Sequence, residues 1–438
     1  MTVTWISGIL MCGRPDRNKK LILSGSLVLN LAVLFFFKYY NFFAGTMHQF
    51  FSGLMPTGTE AALPAFNVLL PVGISFYTFQ ALGYSIDVYR GTVKAERNFL
   101  TYALFVTFFP ALVAGPIERT GNLLPQFKAD HIFDYDRVTS GLKLAAWGMF
   151  KKVVIADRLT IYVNGVYGDP GVYPASALVL ATFFFSVQIY CDFSGYSDIA
   201  IGTARILGFN LMTNFRKPYF SKSISEFWQR WHISLSTWLK DYIYIPLGGN
   251  RKGAIRQKLN LLFTFLLSGL WHGAAWHFII WGLLHGIFQV IERSIPERVN
   301  AIFKKVPLIQ MGITFLVVCF TWIFFRANTM GDALLIVRKL GDLPAEYTEY
   351  LTRLPDQGII NTMRVALQLA NDGDLHGVTH RIPGFGLAVC ALAVFLIAVL
   401  IVSDVWTRVV PGTKRVMQLP LVLRWAGYYA LILAIILN

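Results

Sequence analysis

Charge is what this sequence has least of. Only 14% of its 438 residues are Asp, Glu, Lys or Arg, while 55% are hydrophobic and the mean hydropathy is +0.52. An ordinary globular chain carries about 25% charged residues. A soluble protein this short of charge would expose apolar patches large enough to aggregate, and disorder needs the opposite balance. Cysteine is scarce too. Cys12, Cys191, Cys319 and Cys390 stand singly in apolar stretches, without a C-x-x-C pair or metal-ligand spacing, which excludes a disulfide framework and a zinc site. No repeat of fixed period is visible. A transporter built from inverted repeats should show matching halves, so this weighs against transport. The class left standing is an all-α, polytopic membrane protein whose solvent is mostly lipid.

The charge that is present is positive, 39 Lys and Arg against 24 Asp and Glu. In a soluble domain +15 would suggest nucleic acid; in a membrane protein it reflects the excess of Lys and Arg in cytoplasmic loops. Spanning helices need about 20 apolar residues, and the best candidates are 21–37, 69–86, 177–191, 259–271, 275–290, 308–325, 385–402 and 419–437. Two shorter stretches, 102–115 and 142–155, are interrupted by Gly, Pro or Lys and suit re-entrant or buried helices. The expectation is eight to ten transmembrane or re-entrant helices forming one membrane domain over 1–438. Residues 1–11 are apolar, but Arg14, Arg17, Lys19 and Lys20 follow them instead of preceding them, so they read as a retained membrane element and not a signal peptide. The segment 341–383 is the one long polar insertion, mostly acidic, and is expected outside.

Four places hold chemistry. In the densest polar region, 214–253, Ser223 or Ser225 is expected to cap a helix beginning near Ile224, with Phe227, Trp231, Trp238 and Tyr242 near one stripe. An interfacial amphipathic helix explains most of it; His232 fits either a packed structural residue or a functional one. The second is 268–286, where His272, His277 and His285 lie in what should be hydrocarbon. Ionisable groups at that depth mark functional paths. No two stand at i, i+4, which argues against a paired-His metal site. His272, flanked by Gly269 and Gly273, suits a general base, a proton relay or a structural role. Third, Asp192, Ser194, Ser197 and Asp198 interrupt an apolar run, as an unwound ion site or a capped helix break would; no G-x-S-x-G, P-loop or G-x-G-x-x-G stands nearby. Last, His131 and Asp136 match an H-x-x-x-x-D spacing within a polar loop, a weak signal.

Taken together, the strings GISFYTFQALGYSIDVYRG (73–91), FPALVAGPIER (109–119), YCDFSGYSDIAIG (190–202), ISEFWQRWHISLSTWLKDYIYIPLGGNRKG (224–253) and GLWHGAAW (269–276) resemble the membrane-bound O-acyltransferase family, and within it the AlgI-like branch of bacterial polysaccharide O-acetyltransferases. They follow the family order over about 68–325. The resemblance implies a multi-helix fold around a central channel in the bacterial inner membrane. An acyl donor, acetyl-CoA, enters from the cytoplasm as a substrate, with no bound cofactor and no metal. The acceptor is an exported polysaccharide, alginate first, or a secreted SGNH-type acetyltransferase partner.

Carried over residue by residue, the resemblance makes His272 the catalytic base and His232 a helper that orients or polarises. Asp192, Ser194 and Trp271 match motif positions without an assigned role. The developing oxyanion needs a donor, for which Trp271, Trp276 or a backbone N–H are candidates. The basic loop Arg251, Lys252, Arg256 and Lys258 is expected to draw anionic acetyl-CoA or to set topology. Members of the branch carry further hydrophobic segments before the region matching 21–37, so a shorter variant or a start placed too late is expected. The alternatives are D-alanyl transfer to teichoic acid and a non-enzymatic transporter or export subunit.

Overall fold

The computed structural model describes residues 1–52, 66, 71, 73–353, 387–406 and 421–436. Among them the regular structure is all helix and no strand occurs, because in lipid a backbone must satisfy its own hydrogen bonds. The elements that matter here are α1 (Thr2–Met11), α2 (Asp16–Leu34), α3 (Ile74–Arg90), α4 (Ala175–Ile206), α5 (Ile224–Arg230), α6 (Ile233–Leu239), α7 (Ala254–His272), α8 (Trp276–Ser294) and α9 (Pro307–Arg326). Among the described residues three helices are long and apolar enough to cross a bilayer: Asp16–Phe50, in which α2 runs on through a π-helical turn at Phe35–Tyr39, then α4 and α9. The two interrupted stretches are not single regular α-helices. Phe99–Val106 stops after 8 residues, and Tyr135–Met149 widens into a π-helical Phe150–Ala156. The segments 69–86, 385–402 and 419–437 fall partly outside the described residues.

The chain divides into two compact units. One comprises Met1–Gly141, Ala200–Asn214 and Trp231–Val290; the other comprises Leu142–Ile199, Phe215–Arg230 and Ile291–Asn438.

In the first unit, hydroxyls join helices that lipid alone would not drive together. Ser7 Oγ donates to Ser26 Oγ at 3.2 Å, Ser26 lies 3.5 Å from Ser85 Oγ, and Thr4 bonds the Tyr102 hydroxyl. At Gly8 of α1 a Cβ would stand 2.6 Å from the Tyr84 hydroxyl of α3, so the small residue sets the approach. Phe79 of α3 stacks with both Trp238 (4.0 Å, 3°) and Trp271 (5.3 Å, 15°), with Leu82, Ile117, Leu235 and Leu239 in the same cluster. Glu118, in the connection before Thr120, is 2% exposed. Its carboxylate accepts from Met212 N at 2.6 Å and Asn122 Nδ2 at 2.7 Å. Burial pushes it up to about 7, against the opposing pull of those bonds.

The second unit corrects one expectation. The acids at 192 and 198 do not unwind their helix: α4 is continuous over 32 residues. Gly148 and Gly195 bring two backbones together, since a Cβ on either would meet the other's carbonyl oxygen at 2.6 or 2.8 Å. That approach lets Lys151 reach Asp198 (2.6 Å) and Ser194 (2.8 Å), and Lys152 reach Asp192 (2.8 Å) and Asp157 (2.6 Å). Paired charge replaces the unwound ion site. The start of α4 is capped by Glu346, whose carboxylate accepts from Ala175 N (2.6 Å) and Ser176 N (3.0 Å), a favourable place for an anion. Glu346 belongs to the start of the polar insertion, which is helical over Leu343–Arg353; the rest of it, 354–383, lies outside the described residues.

Candidate active site

The region 214–253 does not form one amphipathic helix. Two short helices, α5 and α6, meet at a break where His232 takes φ 43°, ψ 54°. A non-glycine residue in this left-handed region carries strain of order 1–2 kcal/mol. Asn214 holds the break in place. Its carbonyl accepts from Ile233 N at 2.9 Å, and its Oδ1 accepts from Ser234 N (3.3 Å) and Ser234 Oγ (2.9 Å). The backbone donor identifies that side-chain atom as oxygen. His232 Nδ1, 3.1 Å away, is therefore the donor of its contact with Asn214, and a neutral ring presents Nε2 as the lone-pair side. Phe227, Trp231 and Trp238 are buried at 1%, 3% and 5%, so the aromatic stripe is core and not a headgroup belt. Ser223 caps α5 as its sequence predicts, accepting from Glu226 N at 3.0 Å.

His272 is the last residue of α7, and Gly273 leaves the helix in extended backbone. The glycines around it serve helix packing and not open space. A Cβ at Gly269 would lie 2.3 Å from Phe278 O, one at Gly282 2.3 Å from Phe265 O, and one at Gly273 2.2 Å from the Phe278 ring. The two helices α7 and α8 thus make a tight hairpin with His272 at its closed end. The His272 ring stands edge-on to Trp271 (4.8 Å, 74°) and Trp281 (5.0 Å, 86°). Trp271 also lies 6.0 Å from the His232 ring, so one indole adjoins both motif histidines. His232, His277 and His285 are buried at 1%, 7% and 0%, whereas His272 is partly exposed. Of these four residues it alone is not fully buried. His277 packs against Phe278, and His285 lies against Trp281 and Phe265.

Two site residues escape sequence reading. Lys38, in the π-helical turn after α2, donates to the Trp271 carbonyl and to Ser75 Oγ at 3.0 Å; the adjacent Tyr39 hydroxyl donates to Leu270 O at 3.0 Å. These are the orphan carbonyls at the end of α7, and a cation there also meets the negative end of the helix dipole. The signal was an intramembrane lysine, but the apolar run ends at 37, one residue short of it.

The other predicted residues lie elsewhere. Arg251, Lys252, Arg256 and Lys258 are all exposed, leading into and along the first turns of α7. Arg256 and His272 are 16 residues apart on one helix, about 24 Å at 1.5 Å per residue. Asp192 and Ser194 are engaged with Lys152 and Lys151 in the second unit. His131 sits on an exposed segment, its Nε2 2.8 Å from Gln126 O and its ring against Phe209.

Comparison with known proteins adds the following. The sequence profile of the membrane-bound O-acyltransferase (MBOAT) family matches residues 93–331. The chain is 43% identical over 310 residues to the probable alginate O-acetylase AlgI of Pseudomonas putida, covering 70% of this chain and 61% of that protein. It is 36% identical over 393 residues to the peptidoglycan O-acetyltransferase of Helicobacter pylori, covering 81% of this chain and 72% of that protein. It is 27% identical over 343 residues to the teichoic acid D-alanyltransferase of Bacillus subtilis, covering 74% and 82%. The chain spans about three fifths of the length of the alginate O-acetylases that it matches.

Proposed function

The chain belongs to the membrane-bound O-acyltransferase family, and from that premise we propose that it moves acetyl groups from a cytoplasmic acyl donor toward the hydroxyls of an exported polysaccharide, with His272 as general base. The observation that carries this reading is the placement of His272, next to Trp271 and at a helix end tied down by Lys38 and Tyr39. A sugar hydroxyl is a poor nucleophile, and a positioned base contributes typically 10²–10⁴-fold. His232, oriented through Asn214, is the helper beside Trp271.

Acetyl-CoA is the proposed donor, used as a substrate. Its phosphates suit the exposed basic residues at the far end of α7, and its long thiol arm suits the roughly 24 Å from there to His272. The setting is the bacterial inner membrane, crossed several times. The acceptor is alginate, reached directly or through a secreted SGNH-type partner. A peptidoglycan acceptor is the second reading, favoured by the greater share of the chain aligned with the Helicobacter pylori relative.

The test is the His272→Ala variant in cells. Secreted polymer should persist while its acetyl content disappears; a normal acetyl content would sink the assignment. Acetyl lost from muramic acid, with exopolymer unchanged, would move the acceptor to peptidoglycan.

A further inference from the structure

We propose that Trp271 is itself a catalytic residue, its indole Nε1–H binding the oxygen of the donor's carbonyl as negative charge develops there. The inference rests on the acyl-transfer reading above and names the oxyanion donor that such a reaction needs.

Trp271 is 7% exposed, and its Nε1 has no hydrogen-bond partner among the described residues. A buried donor left unmatched costs roughly 1–3 kcal/mol, and native proteins keep few of them. Its neighbour makes the contrast. Trp238 stacks on the same Phe79 ring at 4.0 Å, and its Nε1 donates to Phe79 O at 3.1 Å. The same aromatic stack thus satisfies one indole and leaves the other unmatched. The unmatched one is the indole beside both motif histidines.

The ring of Trp271 is also fixed. Phe79 stacks on it at 15°, Phe76 meets it edge-on at 5.6 Å, and the Lys38 ammonium stands 5.7 Å from its centroid. A donor fixed before the reaction needs no reorganisation during it. The other indole considered from sequence, Trp276, is 49% exposed, and in water a hydrogen bond to an oxyanion is worth far less.

In the step, His272 takes the proton of the acceptor hydroxyl as its oxygen bonds to the thioester carbon. The carbonyl π pair moves onto oxygen, which accepts from Trp271 Nε1–H. Collapse re-forms the C=O bond and breaks C–S, and the thiolate leaves with the proton from the His272 imidazolium. The products are an acetate ester and free CoA thiol.

The full chain in proteoliposomes, given acetyl-CoA and alginate oligosaccharides, reports this as thiol release. Trp271→Phe keeps an aromatic ring and removes the N–H. It should lower kcat by roughly 10²–10³-fold, as loss of one oxyanion donor does, with the KM for acetyl-CoA held within about threefold and no fall in Tm. Full kcat, or a loss confined to KM, would overturn the proposal. Should Trp271→Phe fold poorly, the isosteric benzothienylalanine at 271, which has sulfur in place of N–H, carries the same expectation and the same refutation. A wild-type protein that releases no thiol would sink the acyl-transfer reading instead. An active wild type with inactive His272→Ala and fully active Trp271→Phe would sink only the role of Trp271.

Discussion

Asn214 Oδ1 lies 3.1 Å from His232 Nδ1, and the same oxygen accepts from the backbone and hydroxyl of Ser234. One side chain therefore fixes both the tautomer of a histidine and the strained turn that carries it. Replacing Asn214 by Ala leaves three buried donors without that acceptor. Each unmatched group costs about 1–3 kcal/mol, so thermal unfolding in detergent should show a loss of at least about 2 kcal/mol, together with reduced acetyl transfer. An unchanged Tm would mean that the turn holds itself.

His232→Gly separates strain from chemistry. Glycine accepts φ 43° freely, so the relief of roughly 1–2 kcal/mol offsets part of the cost, about 3 kcal/mol or more, of emptying the place of a buried ring. Stability should fall by about 1–3 kcal/mol, leaving a folded protein, while transfer falls at least tenfold. If activity survives, His232 is structural.

Lys38→Met removes the donor to the Trp271 carbonyl and Ser75 Oγ while keeping the length of the side chain. The end of α7 then loses a charge-assisted bond of about 1.5–3 kcal/mol, and kcat should fall by an order of magnitude or more. Lys38→Arg, which retains charge and donors, should recover part of it. Equal activity in all three proteins would show that Tyr39 alone suffices.

Gly282→Ala tests the hairpin. Its Cβ would stand 2.3 Å from Phe265 O, a backbone atom that cannot swing aside. The helices must part, at a cost of about 1–3 kcal/mol, and the site at the closed end should loosen with them. Retained Tm and activity would contradict the packing.

Stability should also depend on pH through Glu118, which lies outside the spanning segments. Folded, it keeps its proton up to about 7; unfolded, it releases it near its ordinary 4.5. Folding therefore takes up a proton between those values, and this contribution is full below about 4.5 and lost as pH rises to 7. Glu118→Gln should flatten that decline in Tm between pH 4.5 and 7. An identical slope in the variant would assign it to other groups.

Much of this was legible before any coordinates. The all-helical membrane class follows from the scarcity of charge, and the two motif histidines stand out because a polar ring in a greasy string is conspicuous. What sequence hides is partnership at a distance. Lys38 and Trp271 are 233 residues apart, and only the fold makes them neighbours. Asp192 and Asp198 look like an unwound ion site until Lys151 and Lys152 arrive from another segment to pair them. The stripe through Phe227, Trp231 and Trp238 keeps helical spacing across His232, so periodicity runs straight over a break that a side-chain amide dictates.

The clamp from Lys38 to the end of α7 has a consequence for biosynthesis. The lysine leaves the ribosome 233 residues before the carbonyl it binds, so the clamp closes only after α7 has been made. Ser75, emerging 37 residues later, is an early partner; the Trp271 carbonyl is the final one. A chain interrupted before α7 therefore has neither His272 nor the carbonyl that Lys38 binds.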